Sequence, residues 1–387
     1  MFKFKEYDFK HYKVSILVII LFLGSIGSYL IQYLQDSGEQ QFEKQIIGLL
    51  AGALIAFFVS LFDYHFICKF FGLLYLLNLI LLVAVQYSPF GAYHYEAKRW
   101  LRFPNGQVPS IEAIFEFQPS ELTKIILILF FAKFFDLMYR QINKWYVIVI
   151  SAILAGIPLL LIFKQPDLST TIVLGCTYIA ILYATGLSYK IIVPSLAIGL
   201  PLIIALYWYV QQPFQGLLTE YQQNRILSIK YPELYPKEMW QQNNAAKAIK
   251  SGGMLGKIFT EHISKLECKI ISAIESDFIF TAIAEGFGFV GCCIVILLFL
   301  LLIMKCFGIA KRAKDRLGKL IAIGVATLIM TQVFVNIGVV TSILPNTGIP
   351  LPFVSSGLSA LLSNMLMIGI LLNVSLQGKW NKEVSQK

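Results

Sequence analysis

VSILVIILFLGSIGSYLIQYL, residues 14–34, contains no charged side chain. A helix crossing the hydrocarbon of a bilayer needs about 20 mostly apolar residues. The run is too long for the core of a removable signal and no small-residue cleavage site follows it, so it reads as a first spanning helix. Working outward, nine further runs have the same character, at about 46–63, 69–87, 119–138, 145–163, 168–187, 190–209, 277–304, 319–341 and 358–376. Strands are excluded, because a lipid-exposed backbone must satisfy its own hydrogen bonds and these runs lack the alternation of a barrel. The fold expected is all-α: one polytopic membrane domain over residues 1–387 with about ten spans.

Composition agrees. Of 387 residues, 57% are hydrophobic and 14% charged, with 30 Phe and 19 Tyr, against about 25% charged residues in an ordinary soluble domain. The net charge of +10 is a topology signal, not a sign of nucleic-acid binding. With the N-terminus inside, about 18 of the 32 basic residues fall on inner segments against about six acids, and the densest block, Lys305 to Lys319, is among them. Both termini are therefore expected in the cytoplasm, and the polar segment Val210 to Ser276, between spans seven and eight, outside the cell. The six cysteines, Cys68, Cys176, Cys268, Cys292, Cys293 and Cys306, show no metal-binding or disulfide pattern.

Ionisable residues at a membrane edge are costly and mark candidate sites. Lys98-Arg99-Trp100 sets two cations beside a ring, which suits an anionic headgroup at the membrane surface or an ordinary interfacial anchor. Gln118-Pro119-Ser120-Glu121 opens a helix on which Glu121 and Lys124 share a face. Asp167, after Gln165-Pro166, precedes an apolar helix and suits either a cap or a site. Asp277 stands where the long polar segment meets span eight, where the helix dipole favours an ionised acid. Glu285 lies two turns deeper. Pro345-Asn346-Thr347-Gly348-Ile349-Pro350-Leu351-Pro352-Phe353 makes a rigid non-helical stretch, and Asn336 and Asn373 are buried-polar candidates.

Taken together these motifs resemble the SEDS (shape, elongation, division and sporulation) family, that of RodA and FtsW. Ala97-Lys98-Arg99-Trp100, Gln118-Pro119-Ser120-Glu121, Gln165-Pro166-Asp167-Leu168, Ser251-Gly252-Gly253 with Gly256-Lys257, Ser276-Asp277-Phe278-Ile279-Phe280, and Asn336-Ile337-Gly338 through Phe353 occur in family order and spacing. Departures are Glu96, Ser169, Lys250, Gly286, Ser356 and Leu358. The resemblance implies a peptidoglycan glycosyltransferase of the bacterial cytoplasmic membrane that polymerises lipid II at its outer face, with a class B penicillin-binding protein as partner. It also implies that Asp277 is the acid on which activity depends and that Trp100 matters. Lys98, Arg99, Trp100, Gln118, Ser120, Glu121, Lys124, Asp167 and Glu285 form the expected substrate-binding set. Asp277 would act as general base or hold Mg²⁺ or Mn²⁺ on the diphosphate. The other function classes consistent with the helices are a flippase for lipid-linked precursors and a non-catalytic scaffold.

Overall fold

A backbone surrounded by hydrocarbon bonds to itself, and each of the ten apolar runs is helical in the computed structural model, which describes residues 7–34, 38–89, 91–94, 97–102, 116–260 and 266–378. The helices are α1 (Val14–Leu34), α2 (Gly38–Ser60), the short α3 (Tyr64–Ile67), α4 (Phe71–Tyr87), α5 (Pro119–Leu137), α6 (Trp145–Lys164), α7 (Leu168–Ala184), α8 (Tyr189–Tyr209), α9 (Glu220–Lys230), α10 (Pro236–Gly252), α11 (Lys257–Thr260), α12 (Ile279–Arg312), α13 (Arg316–Val340) and α14 (Leu358–Leu376). Among the described residues eight helical stretches are long and apolar enough to cross a membrane. α5 falls outside that set because it carries Glu121, Lys124, Lys133 and Asp136, and α7 because it has 17 residues.

α13 and α14 are the centre of the bundle, with 67% and 72% of their apolar windows buried, whereas α8 has none of its window buried and stands at the periphery. α14 packs on α2, α13 on α12 and α7, and α5 on α4. At the basic end of the bundle, residues 7–12 lie against the end of α14: the Asp8 amide donates to Leu376 O (2.9 Å). Asn373, expected as a functional candidate, is a structural tie there. It donates to Ser60 O (2.6 Å) and accepts from the Tyr64 amide (3.0 Å).

Three features depart from expectation. A small antiparallel sheet, β1 (Gly91–His94), β2 (Ala97–Arg102) and β3 (Glu116–Phe117) in the order β1-β2-β3, interrupts the all-helical pattern in a polar connection, where strand edges can be hydrated. Glu96 lies outside the described residues. Secondly, α12 continues through Lys305, Lys311 and Arg312, because these long side chains favour helix and can carry their charges beyond the apolar layer. Lastly, the polar segment 210–276 carries helices α9, α10 and α11 among its described residues. Thr219 and Gln222 form a capping box on α9, and Pro236 starts α10.

The Ser251-Gly252-Gly253 motif explains how this segment seats. Gly288 breaks α12 with φ +67°, and the amides of Phe289 and Val290 donate to Gly253 O (2.9 Å) and Met254 O (3.2 Å). A Cβ on Gly256 would sit 2.1 Å from Gly286 O, so two backbones touch where only glycine fits. Lys250 is exposed beside this junction.

Candidate active site

Asp277 follows a turn closed by the Ser276 and Asp277 amides on Ala273 O (3.2 and 3.1 Å). The surrounding chain holds its backbone from two sides. Asn336 Nδ2, on α13, donates to Asp277 O (2.8 Å) and Ile349 O (2.7 Å). Ser355 Oγ donates to Ser276 O (2.5 Å), and the Ser356 amide to Glu275 O (2.8 Å). The contact at Ser356 uses only the backbone, so that motif departure leaves it intact. Asp277 is not a helix cap: the N-cap of α12 is Phe278, with no side-chain cap bond. Asp167, by contrast, does cap α7, accepting from the Thr170 amide (3.2 Å).

The half-buried Asp277 opens into a cavity of about 480 Å³ that also takes in Arg99, Trp100, Tyr221, Arg225, Gln241, Ser272, Asn346, Thr347 and Gly348. Arg99, on β2, donates from Nε to Gln165 O (3.1 Å) and from Nη2 to Pro166 O. Arg225, on α9, lies over the Tyr221 ring (4.3 Å to its centroid) and donates to Asn346 O (3.2 Å). Gln241 donates to Ser272 Oγ (2.6 Å) and accepts from Asn346 Nδ2 (2.5 Å). One wall is thus cationic and another is lined by amides and hydroxyls.

Burial pushes the Asp277 carboxyl up to about 6. Arg99 and Arg225 oppose the shift, while Asp167 and Glu275 add to it. Loss of hydration outweighs both arginines, so Asp277 ionises less readily than an ordinary aspartate. Such a group is still mostly ionised at neutral pH and is basic enough to accept a proton. Burial likewise lowers the pKa of Arg225, leaving a poorly hydrated cation.

Of the expected set, Arg99, Trp100 and Asp277 meet in the cavity. The others lie outside its lining. Lys98 Nζ donates to Gln86 O (3.2 Å) and Ser88 O (3.0 Å). The Gln118 amide faces Ser359 Oγ (3.5 Å), and Ser120 is buried at the start of α5. Glu121 and Lys124 pair with each other inside the bundle (2.6 Å). Glu285 accepts from Lys257 Nζ (2.6 Å) and from the amides of Glu267 (2.7 Å) and Cys268 (2.9 Å). It anchors the polar segment to α12. Among the described residues no three His, Cys, Asp or Glu side chains group as a metal site. Tyr221, Arg225, Gln241 and Ser272 were not singled out from the sequence. The Tyr221-x-x-x-Arg225 spacing, one helical turn in a segment with a capping box, was the available signal.

Fold and site together define a multi-pass membrane protein with an acid and two cations gathered at one end of its helices. The chain belongs to the FtsW, RodA and SpoVE family of cell cycle proteins, whose family model matches residues 10–379. It is 32% identical over 371 residues to the peptidoglycan glycosyltransferase MrdB of Escherichia coli K12, covering 95% of this chain and 94% of that one. It is 29% identical over 386 residues to a probable peptidoglycan glycosyltransferase FtsW of Trichlorobacter lovleyi, covering 96% and 95%. Among solved structures it resembles a chain of a peptidoglycan synthase complex that coordinates polymerization and crosslinking (TM-score 0.77, 24% identity, 94% of this chain and 97% of that chain). It also resembles the rod shape determining protein RodA of Thermus thermophilus (TM-score 0.67, 22% identity, 95% and 96%). The apolar helices and these relatives identify a protein of the cytoplasmic membrane.

Proposed function

We propose that this chain is a peptidoglycan glycosyltransferase that polymerises lipid II, with Asp277 as general base. The observation that carries the proposal is a carboxylate free of capping bonds, with its pKa raised to about 6, facing a cavity that holds Arg99 and Trp100. In the donor, the sugar is α-linked to diphosphate. The acceptor 4-hydroxyl oxygen attacks the anomeric carbon from the opposite face and its proton passes to Asp277. The bond to diphosphate breaks, and its electron pair leaves with the diphosphate oxygen, whose charge Arg99 stabilises. One inversion gives the β-linkage without a covalent intermediate. Mg²⁺ or Mn²⁺ would find a single protein carboxylate in the cavity lining and would draw its other ligands from diphosphate and water.

The test is lipid II polymerisation by Asp277→Asn protein expressed and folded as wild type. A rate lower by about 10²–10⁴-fold is expected for loss of a base. A rate within about threefold of wild type would sink the assignment.

We further propose that the basic end faces the cytoplasm and the cavity the outside. Lys13, before α1, lies within charge-interaction range of Lys305 and Arg312 at the far end of α12 from Asp277, as the positive-inside rule asks. In a variant otherwise without cysteine, Lys237→Cys should react with an impermeant thiol reagent in intact cells and Lys314→Cys should not. The reverse pattern overturns the orientation. The resemblance to a synthase-complex chain supports a class B penicillin-binding protein as partner. That reading fails if mild-detergent purification brings none down and adding one leaves the polymerisation rate unchanged.

A further inference from the structure

We infer that Arg225 is a second substrate-touching residue, whose guanidinium binds the diphosphate of the lipid-linked donor together with Arg99 and lets the site distinguish a diphosphate from a monophosphate. The inference rests on the glycosyltransferase reading but concerns a residue that its motifs do not include.

Three lysines of the helices have carboxylate partners. Lys124 pairs with Glu121, Lys133 with Asp136, and Lys257 with Glu285 and Glu267. Arg99 and Arg225 are half-buried, and among the described residues neither has a carboxylate within ion-pair distance. Their partners are neutral: carbonyl oxygens for both, and for Arg225 also the Tyr221 ring and hydroxyl. A partly desolvated cation without a carboxylate at ion-pair distance is unfavourable. Two such cations line one cavity with a single carboxylate, that of Asp277, so the lining itself offers more positive than negative charge to a polyanionic ligand, with Asp167, Glu275 and Glu238 acting only from beyond it.

The supports also fix orientation. Stacking on Tyr221 and a bond to Asn346 O hold the plane of the Arg225 fork. A guanidinium has five N–H donors, so these contacts leave others for phosphate oxygens. Two arginines match two phosphoryl groups, each able to form a bidentate pair. Arg225 comes from α9 and Arg99 from β2. A monophosphate cannot be shared between them in the way a diphosphate can.

The experiment measures binding of undecaprenyl diphosphate and undecaprenyl monophosphate to the purified full chain, alongside lipid II polymerisation. Wild type is expected to prefer the diphosphate by about tenfold or more, as charge-assisted bonds to one added phosphate imply. Arg225→Gln should bring the preference to within about twofold, with an unchanged melting temperature. Arg225→Lys, which keeps the charge but loses the fork, should fall between. A folded Arg225→Gln protein with wild-type preference and rate overturns the inference and leaves Asp277 untouched. If Arg225→Gln does not fold, Arg225→Lys decides: a preference reduced at least about threefold supports the role, and an unchanged one overturns it. A wild-type protein that polymerises no lipid II and shows no preference sinks both the function and the inference.

Discussion

The raised pKa of Asp277 makes a quantitative prediction about pH. A general base works only when deprotonated. With its pKa at about 6, Asp277 would be about 90% ionised at pH 7 and about 9% at pH 5, so kcat/KM should fall about tenfold between these values. An aspartate at its ordinary 3.8 would remain about 94% ionised at pH 5, and the rate would hardly change. Polymerisation measured from pH 4.5 to 8 on fixed amounts of lipid II separates the two. Charge deletions then identify the titrating group. Glu275 raises the Asp277 pKa and Arg99 lowers it. Glu275→Gln should therefore move the acid limb to lower pH. Arg99→Gln should move it to higher pH, at a reduced maximal rate. A profile flat from pH 5 to 7, or limbs that move the same way in both variants, would refute the assignment of the limb to Asp277.

Stability should show the same group with the opposite consequence. A raised carboxyl pKa means that the folded state disfavours the ionised form, so this residue's contribution to stability falls as pH rises from about 3.8 through about 6. Asp277→Asn should thus melt at or above wild type at pH 8, and the difference should close at pH 4. Glu285→Gln should lower stability towards the lower end of about 3–5 kcal/mol, because Lys257 keeps Glu267 as a partner. Proteolysis of segment 210–276 would report this, while undecaprenyl diphosphate affinity per folded molecule stays unchanged. Gly348 has φ +73°, and a Cβ there would stand 3.1 Å from Asp277 Oδ2. Gly348→Ala should therefore cut the polymerisation rate about ten- to a hundredfold by displacing the carboxylate, with a strain cost of about 1–2 kcal/mol read from melting.

The spans were legible because hydrocarbon imposes one rule, backbone self-satisfaction, that shows as length and lack of charge. Helix ends were less so. The apolar run expected to span ends at about 304, whereas α12 runs on to Arg312. Charge marks where an apolar layer ends, not where a helix does. The site was legible where one residue type stands beside a membrane edge, as with Asp277 and Arg99-Trp100. It was not legible at Arg225, Gln241 and Ser272, because α9, α10 and the turn before Asp277 approach each other only after folding. The one local signal, the Tyr221-x-x-x-Arg225 spacing on α9, suits a solvated helix turn as well as a cavity wall.

The same limit explains why four acids singled out alike take four different roles. Asp167 spends an oxygen on the Thr170 amide. Glu121 faces Lys124 within α5. Glu285 has both oxygens occupied, by an ammonium and two backbone amides. A carboxylate held in this way is turned to its protein partners and lines no part of the cavity. Asp277 differs in the division between backbone and side chain: Asn336 and the Ala273 turn fix its main chain, while no hydrogen bond among the described residues claims its oxygens. That arrangement would position the proposed base without neutralising it. The cost of charge in hydrocarbon then orders the rest. Glu121 is closed onto Lys124 and Glu285 onto Lys257, whereas the two cations of the cavity, Arg99 and Arg225, come from a strand and a helix of the polar connections and have no carboxylate at ion-pair distance among the described residues. The charge left open to the cavity thus gathers at one end of the bundle, where on the proposed reading water and a lipid-linked diphosphate would meet.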